Sequence, residues 1–479
     1  MLFRRLAVFV GGCALVAAER VLRTEGRGLS EDTIDSVLSP QSSILDGLAA
    51  LLDKSLVQQI SDSNGQPRFQ MLETIREYAL EQLERNGEAQ EVRQRHIEYY
   101  LAVAEASLPA LHGPDVLAWL TRLEQEHDNL RAALHYCADA DERAIFGLQL
   151  AGALWIFWQF SNTFAEGRIW IETFLQQQYD TGPTNALYAR ALLGAGWLAY
   201  YQDDYAAAAD YAAKRLEVGQ HTDDLGGRAD ALNLLGFCKA ALCDYLGGIA
   251  QLEASVALSR AAGDPYLLGL ALMNLGFLHN DQGDITRAQP CFEESLTWGQ
   301  RVRHPVLLAC AFNALGELAR MQGAYQAAGS YYHESFALYQ NMRNRRGMAT
   351  LHHNLGCVAH YHEHCAQAWD HFTHSLAYYR ELGDKAGVAA ALAGLAGVIG
   401  MQEQWERAAQ LFGAARALRD VSGAKIIAPD LYHYERNITA VRARLGEAAF
   451  AAAWEAGRRL PLAQAIAAAL ALNAGMPRA

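Results

Sequence analysis

From residue 191 onward the chain repeats its pattern of apolar, small and polar positions every 40 residues, six times without a gap. The segments start at 191, 231, 271, 311, 351 and 391. One column reads Ala195, Leu235, Leu275, Leu315, Leu355, Leu395, and the next reads Gly196, Gly236, Gly276, Gly316, Gly356, Ala396. Further along come the small residues Ala208, Gly248, Ala288, Ala328, Ala368 and Ala408. Four positions later stand Ala212, Leu252, Phe292, Tyr332, Phe372 and Phe412. This order predicts a hairpin of two helices per repeat. A Leu-Gly pair in the first helix, followed in the second by a small residue and an aromatic, is the tetratricopeptide (TPR) pattern. Small residues belong where helix axes cross closely, and the aromatic fills the groove beside them. A lone hairpin cannot bury its apolar face, so neighbours must stack.

One departure from the usual repeat is informative. The closing Pro is missing, its column reading Gln220, Arg260, Gln300, Gln340, Arg380 and Asp420, because a Pro there would interrupt a longer second helix. Turns fall instead at Gly263-Asp264-Pro265 and Gly383-Asp384. A less regular hairpin precedes the series, with Leu154 to Trp158 in its first helix and Glu166 to Leu175 in its second. After the array, Tyr432 to Leu445 and Ala448 to Leu472 read as closing helices that cap its open end.

The front of the chain has another rhythm. Helices are predicted at Leu2–Val10, Leu15–Leu22 and Ile44–Leu52. Ser55 to Ile60 and Arg68 to Met71 then flank Asp62-Ser-Asn-Gly65, a hairpin signal. Three helices and a two-stranded wing predict a winged helix. Further helices are expected from Leu72 to the stop at Asn86-Gly87, and at Gln90–Ala106 and Leu117–Cys137. The resulting plan is all-α: a winged-helix-like domain over 1–75, connecting helices over 76–145, a TPR-like α-solenoid over 146–423 and capping helices over 424–479.

Charge narrows the function. The chain carries a net charge of −13, unlike a large nucleic-acid surface. In residues 1–75, seven Lys/Arg stand against nine Asp/Glu, leaving −2. The third helix offers Asp46 and Asp53 where a DNA reader carries basic side chains, so direct DNA binding is not expected. The eight cysteines are scattered singly, as in a reducing cytoplasm. The start, Met1 to Cys13, imitates a secretory or lipoprotein signal, but its apolar run is short and Glu19 and Arg20 follow, so a helix over Leu2–Val10 and a cytoplasmic location are expected.

Several motifs resemble the region after the ATPase in bacterial STAND (NB-ARC-like) regulators of the LuxR- or AfsR-like type. They are Leu2-Phe-Arg-Arg-Leu-Ala-Val-Phe-Val-Gly-Gly12, Leu51-Leu-Asp-Lys-Ser-Leu-Val57, Arg68-Phe-Gln-Met-Leu-Glu-Thr-Ile-Arg-Glu-Tyr-Ala79, Leu123-Glu-Gln-Glu-His-Asp-Asn-Leu-Arg-Ala-Ala133 and Leu445-Gly-Glu-Ala-Ala-Phe450 with Trp454. The resemblance implies a nucleotide-switched ATPase ahead of the winged helix and an array that receives the signal. It also implies a nucleotide-sensing triplet at Met71, Leu72 and Glu73, where Leu72 lacks the hydrogen bond that the family's His makes. A phosphate-binding loop needs Gly-Lys-[Ser/Thr], and none of the five lysines follows a Gly. The expectation is a truncated or split product without its ATPase.

The concave wall of such an array is lined by first helices. Its expected binding residues are Trp197, Tyr200, Tyr201, Asn233, Phe237, Phe277, Asn280, Asp281, Asn313, Glu317, Arg320, His353, His360 and Tyr361. Aromatics with Asn and a few charges suit an extended peptide or helix. Seven of the 16 histidines fall between His352 and His374; His360/His364 and His371/His374 have ligand-like spacing. No His-Glu-x-x-His motif accompanies them, and no metal or other cofactor is expected. Neither a Gly-x-Ser-x-Gly elbow nor a distinctive carboxylate pair occurs, so no enzyme is expected. The expected function is a non-catalytic scaffold, the sensor or effector-binding part of a signal-transducing regulator, with a protein, peptide or small inducer as partner. The alternatives are a free-standing TPR adaptor and, further off, a winged-helix DNA binder.

Overall fold

The computed structural model describes residues 1–22, 40–61, 65–177, 186–220, 224–423, 426 and 428–471. The chain groups into two compact units, Met1–Asp244 and Tyr245–Ala479.

The first unit opens with the winged-helix region. Leu2–Arg5 is α-helical and Leu6–Val8 continues as a 3₁₀ turn, shorter than the helix expected to Val10. Helices Leu15–Leu22 and Pro40–Asp53 follow. The wing has three strands, not two. β1 (Cys13–Ala14) and β2 (Gln58–Ser61) both pair antiparallel with β3 (Pro67–Gln70), with Cys13 opposite Phe69 and Gln59 opposite Phe69 on the other side. The glycines before β1 explain the extra strand. Gly11 and Gly12 take φ of +75° and +86°, which turns the chain back onto β3. A Cβ on Gly12 would lie 2.8 Å from the Phe69 carbonyl. Residues 62–64 of the expected wing turn lie outside the described residues; Gly65 has φ +76°.

Helices Glu73–Arg85 and Ala89–Leu111 lead on, Gly87 (φ +70°) ending the first. The helix expected over Leu117–Cys137 is broken into Val116–Gln125 and His127–Ala138, with Glu126 at the break. Hairpins then begin with Ala144–Phe160 and Phe164–Gln177. They continue through Ala186–Tyr200 and Tyr205–Gln220 to Leu225–Ala241.

In the second unit the 40-residue step is visible in the element bounds themselves. First helices run Pro265–Asp281, Pro305–Met321, Arg345–Tyr361 and Lys385–Met401. Second helices run Tyr245–Ala262, Ile285–Val302, Tyr325–Asn341, Cys365–Glu381 and Trp405–Ser422. Each first helix begins at a capping residue of one column: the side chains of Asp264, His304, Asn344 and Asp384 accept from the first-turn backbone N–H groups, satisfying donors the helix leaves unpaired. Between helices the chain takes a left-handed residue at fixed places, such as Gly283, Gly323, Glu363 and Glu403.

The Leu-Gly column has a plain steric cause. A Cβ on Gly276 would lie 2.6 Å from the Phe292 ring, and one on Gly356 2.8 Å from Phe372. The Phe372 ring also lies against Gly394 of the next hairpin. The aromatic therefore locks its own hairpin and the following one together, buried completely. The expected second closing helix is split at Pro461 into Glu447–Arg458 and Leu462–Leu470. Glu447–Arg458 crosses Trp405–Ser422 closely, the glycines Gly413 and Gly457 each meeting the other helix's backbone.

Candidate functional site: the inner face of the array

Helix Ala428–Leu445, read from sequence as a cap, lies along the first helices of the second unit. Asp430 is its anchor. Arg320 Nη2 donates to Asp430 Oδ1 at 2.7 Å, and His353 Nε2 stands 3.2 Å from Asp430 Oδ2. Arg320 is 4% and His353 8% exposed, so these charges are paired away from water. Further along the same helix His433 Nε2 lies 2.9 Å from His360 Nδ1, and Arg436 reaches the same nitrogen at 3.4 Å. The Arg436 guanidinium sits 5.8 Å from the Tyr361 ring, which stacks on Tyr325.

Electrostatics follow from this crowding. Burial works against ionisation of Asp430, yet the charges of His353 and Arg320 hold it well below the usual carboxylate range. Burial likewise opposes a charged His353, but Cys357 and Asp430 raise it to about 10. Burial lowers His360 to about 4 and pushes Glu317 up to about 7, the latter against the pull of Arg320. Asn313 Nδ2 donates to Glu317 at 2.8 Å and Asn354 Nδ2 to Asn313 at 2.9 Å, so Glu317, Asn313 and Asn354 form one hydrogen-bonded chain beside the charged group.

The expected inner-face residues therefore separate. Asn313, Glu317, Arg320, His353, His360 and Tyr361 are brought together in the second unit. In the first unit Trp197, Tyr200, Tyr201 and Phe237 form a cluster of rings, with centroids 5.7 to 6.3 Å apart across Trp197–Phe237 and Tyr200–Phe237. Trp197 also donates to Asp230 at 3.1 Å, and Asn233 is buried. These rings pack on one another. Phe277 packs edge-on against Phe292, Asn280 is buried and Asp281 is exposed, and none of the three joins the charged group.

The ligand-like histidine spacings come to other ends. His371 pairs with His352 at 3.0 Å, and His374 bonds the Asp370 carbonyl at 2.7 Å. Among the described residues, the group the fold does assemble is His353, Cys357 and Asp430, whose donor atoms lie within 4.8 Å of one another. Its carboxylate already faces two cations. Sequence reasoning missed Asp430, His433, Arg436, Asn437 and Arg419. A polar stripe at Asp430, His433 and Asn437, at helical spacing and beside apolar Tyr434, Ile438 and Val441, was the available signal.

A second polar network lies in the first unit. Arg68, on β3, pairs with Glu126 and donates from Nη2 to the Gly12 carbonyl at 3.1 Å. Tyr100 Oη and Asn129 Nδ2 each donate to Glu126 Oε2 at 2.9 Å, and Asn129 also bonds the Gly12 carbonyl and the Val10 N–H. The helix break at Glu126 turns its carboxylate inward. Leu72, by contrast, is half exposed, and Glu73 pairs at the surface with Arg76 at 2.6 Å. Helix Pro40–Asp53 carries no basic residue.

A winged helix-turn-helix model matches residues 1–84, and a tetratricopeptide-repeat model matches 307–381. HTH-type transcriptional regulators of Mycobacterium bovis and Mycobacterium tuberculosis are 40% identical over 194 residues, 40% of this chain and 20% of theirs. The match thus spans a fifth of the relatives' length. Among solved structures, a STAND protein with a tetratricopeptide-repeat sensor from Pyrococcus horikoshii is similar at 12% identity and TM-score 0.47, covering 95% of this chain and 64% of that one. BtubC from P. vanneervenii is similar at 15% identity and TM-score 0.35, covering 52% and 92%. Among the described residues no helix is long and apolar enough to cross a membrane. The chain carries a winged helix-turn-helix region and tetratricopeptide repeats, and part of it is similar to HTH-type transcriptional regulators.

Proposed function

We propose that this chain is the receiving part of a STAND-type transcriptional regulator, a binding scaffold that works without catalysis and passes occupancy of its array to a nucleotide-switched ATPase on the same or another polypeptide. The observation that carries the reading is the junction at Glu126. Gly12, Arg68, Tyr100 and Asn129 come from four separate segments, three of them within the motifs that resemble this family, and all bond within one buried network. Such a junction fastens the winged helix to the helices that lead into the hairpins, so a displacement of one is felt by the other. The exposed Leu72 and Glu73 then form the surface offered to the ATPase, and the array is the part offered to a protein, peptide or small inducer.

Crosslinking a tagged chain in lysate of its source organism, wild type beside Leu72→Asp, tests the reading. A STAND-type ATPase should crosslink to residues near Leu72 in the wild type and be depleted in the variant. Partners without any nucleotide-binding ATPase would support a free-standing adaptor instead. Salt-sensitive retention of duplex DNA by the purified chain would place the winged helix among DNA readers.

A further inference from the structure

We propose that a chamber between helices Arg345–Tyr361, Lys385–Met401 and Ala428–Leu445 binds a small organic acid, its carboxylate on Arg419 and its apolar body against an alanine floor. The inference rests on the receiver reading and names the inducer's chemistry. The chamber has a volume of about 300 Å³, within the size class of small-ligand sites. Its floor exists because the last hairpin is stripped of bulk. Ala390, Ala393 and Gly394 line the space, where the preceding repeat carries Thr350, His353 and Asn354 in the same columns.

The polar groups around the chamber are unevenly matched. Both oxygens of Asp430 are taken, by Arg320 and His353. Asp384 is taken by Arg346 at 2.9 Å and by the Gly387 N–H at 2.9 Å. Arg419 has no carboxylate among the described residues. It is 8% exposed, its Nε and Nη2 are buried without a partner there, and its guanidinium lies 4.3 Å from the Tyr434 ring. His353 Nδ1 is a second buried nitrogen without a partner. A buried guanidinium with free donors is costly unless an anion meets it, and its planar fork suits a carboxylate held by two parallel bonds. Inorganic phosphate would leave the alanine floor bare, and a neutral analogue would leave Arg419 unpaired. Tyr434, His433 and Asn437 of helix Ala428–Leu445 line the chamber, so a bound acid also holds that helix in place.

The test uses the full chain with benzoate, phenylacetate and hexanoate at about 5 mM, beside benzamide and inorganic phosphate, in calorimetry and thermal melting. At least one of the three acids should bind with a Kd below about 1 mM and raise the melting temperature. Arg419→Gln should weaken that acid about 10- to 100-fold. Ala393→Leu, which fills the floor and keeps the guanidinium, should abolish binding in a folded protein. The proposal is overturned if none of the acids binds, if phosphate alone does, or if both variants bind as the wild type does. Such a failure leaves the receiver reading standing, because that reading fails only on the partner found at Leu72.

Discussion

The same columns of the repeat carry two kinds of surface in the two units. Where the first unit has Trp197 and Tyr200, the second has Glu317 and Arg320, then Cys357 and His360. The aromatic rings of the first unit meet their needs by packing against one another and against Phe237. The buried cations Arg320 and His353 cannot do this. Once buried they require an opposite charge, and helix Ala428–Leu445 supplies it through Asp430. The repeat fixes where a side chain emerges; its chemistry decides whether that place closes on itself or needs a further element.

Removing the partner should break this contrast most strongly. Asp430→Ala leaves Arg320 and His353 as unpaired buried cations and should cost the second unit about 3–5 kcal/mol in urea unfolding. A loss below about 1 kcal/mol would mean the pairing is ornamental. Trp197→Ala should cost about 3 kcal/mol, confined to the first unit, through lost ring packing; hydrogen exchange in Ala428–Leu445 should not change.

Acid should separate the regions more gently. Burial holds His360 at about 4, below its ordinary 6.5, and depresses His433 too. The His360–His433 pair therefore binds protons more readily once the helix is released, and docking weakens as pH falls from about 6.5 toward 4. Arg436 and Arg320 face the same pair and oppose its charging, while Asp430 stays ionised throughout. His360 alone should account for about 2 kcal/mol by pH 5, seen as faster proteolysis within 428–445. Increased protection there at pH 5 would reverse the assignment. Smallest of all, Glu403→Gly relieves a left-handed residue (φ +61°) and should raise stability by under about 1 kcal/mol in thermal melting.

The hairpins were legible because period, small residues and aromatics all follow from packing, and packing repeats. The Gly276 and Phe292 columns meant in three dimensions what they implied in one. The helix break at Glu126 was not legible, since Leu117 to Cys137 is continuous in helix propensity; a buried network of distant residues overrides it. The third wing strand escaped because two residues pair only where two left-handed glycines redirect the chain. Nothing in the spacing of the inner-face columns named residues 428–445 as the element packed against Arg320, His353 and His360. That contact joins positions over 70 residues apart, as in His360 with His433.

Amide hydrogen exchange across residues 428–445 tests the central claim directly. The account predicts slow exchange in the wild type at neutral pH, comparable to the helix Lys385–Met401, and fast exchange in Asp430→Ala. Exchange in the wild type as fast as in an undocked helix, or protection unaltered by the substitution, would contradict it.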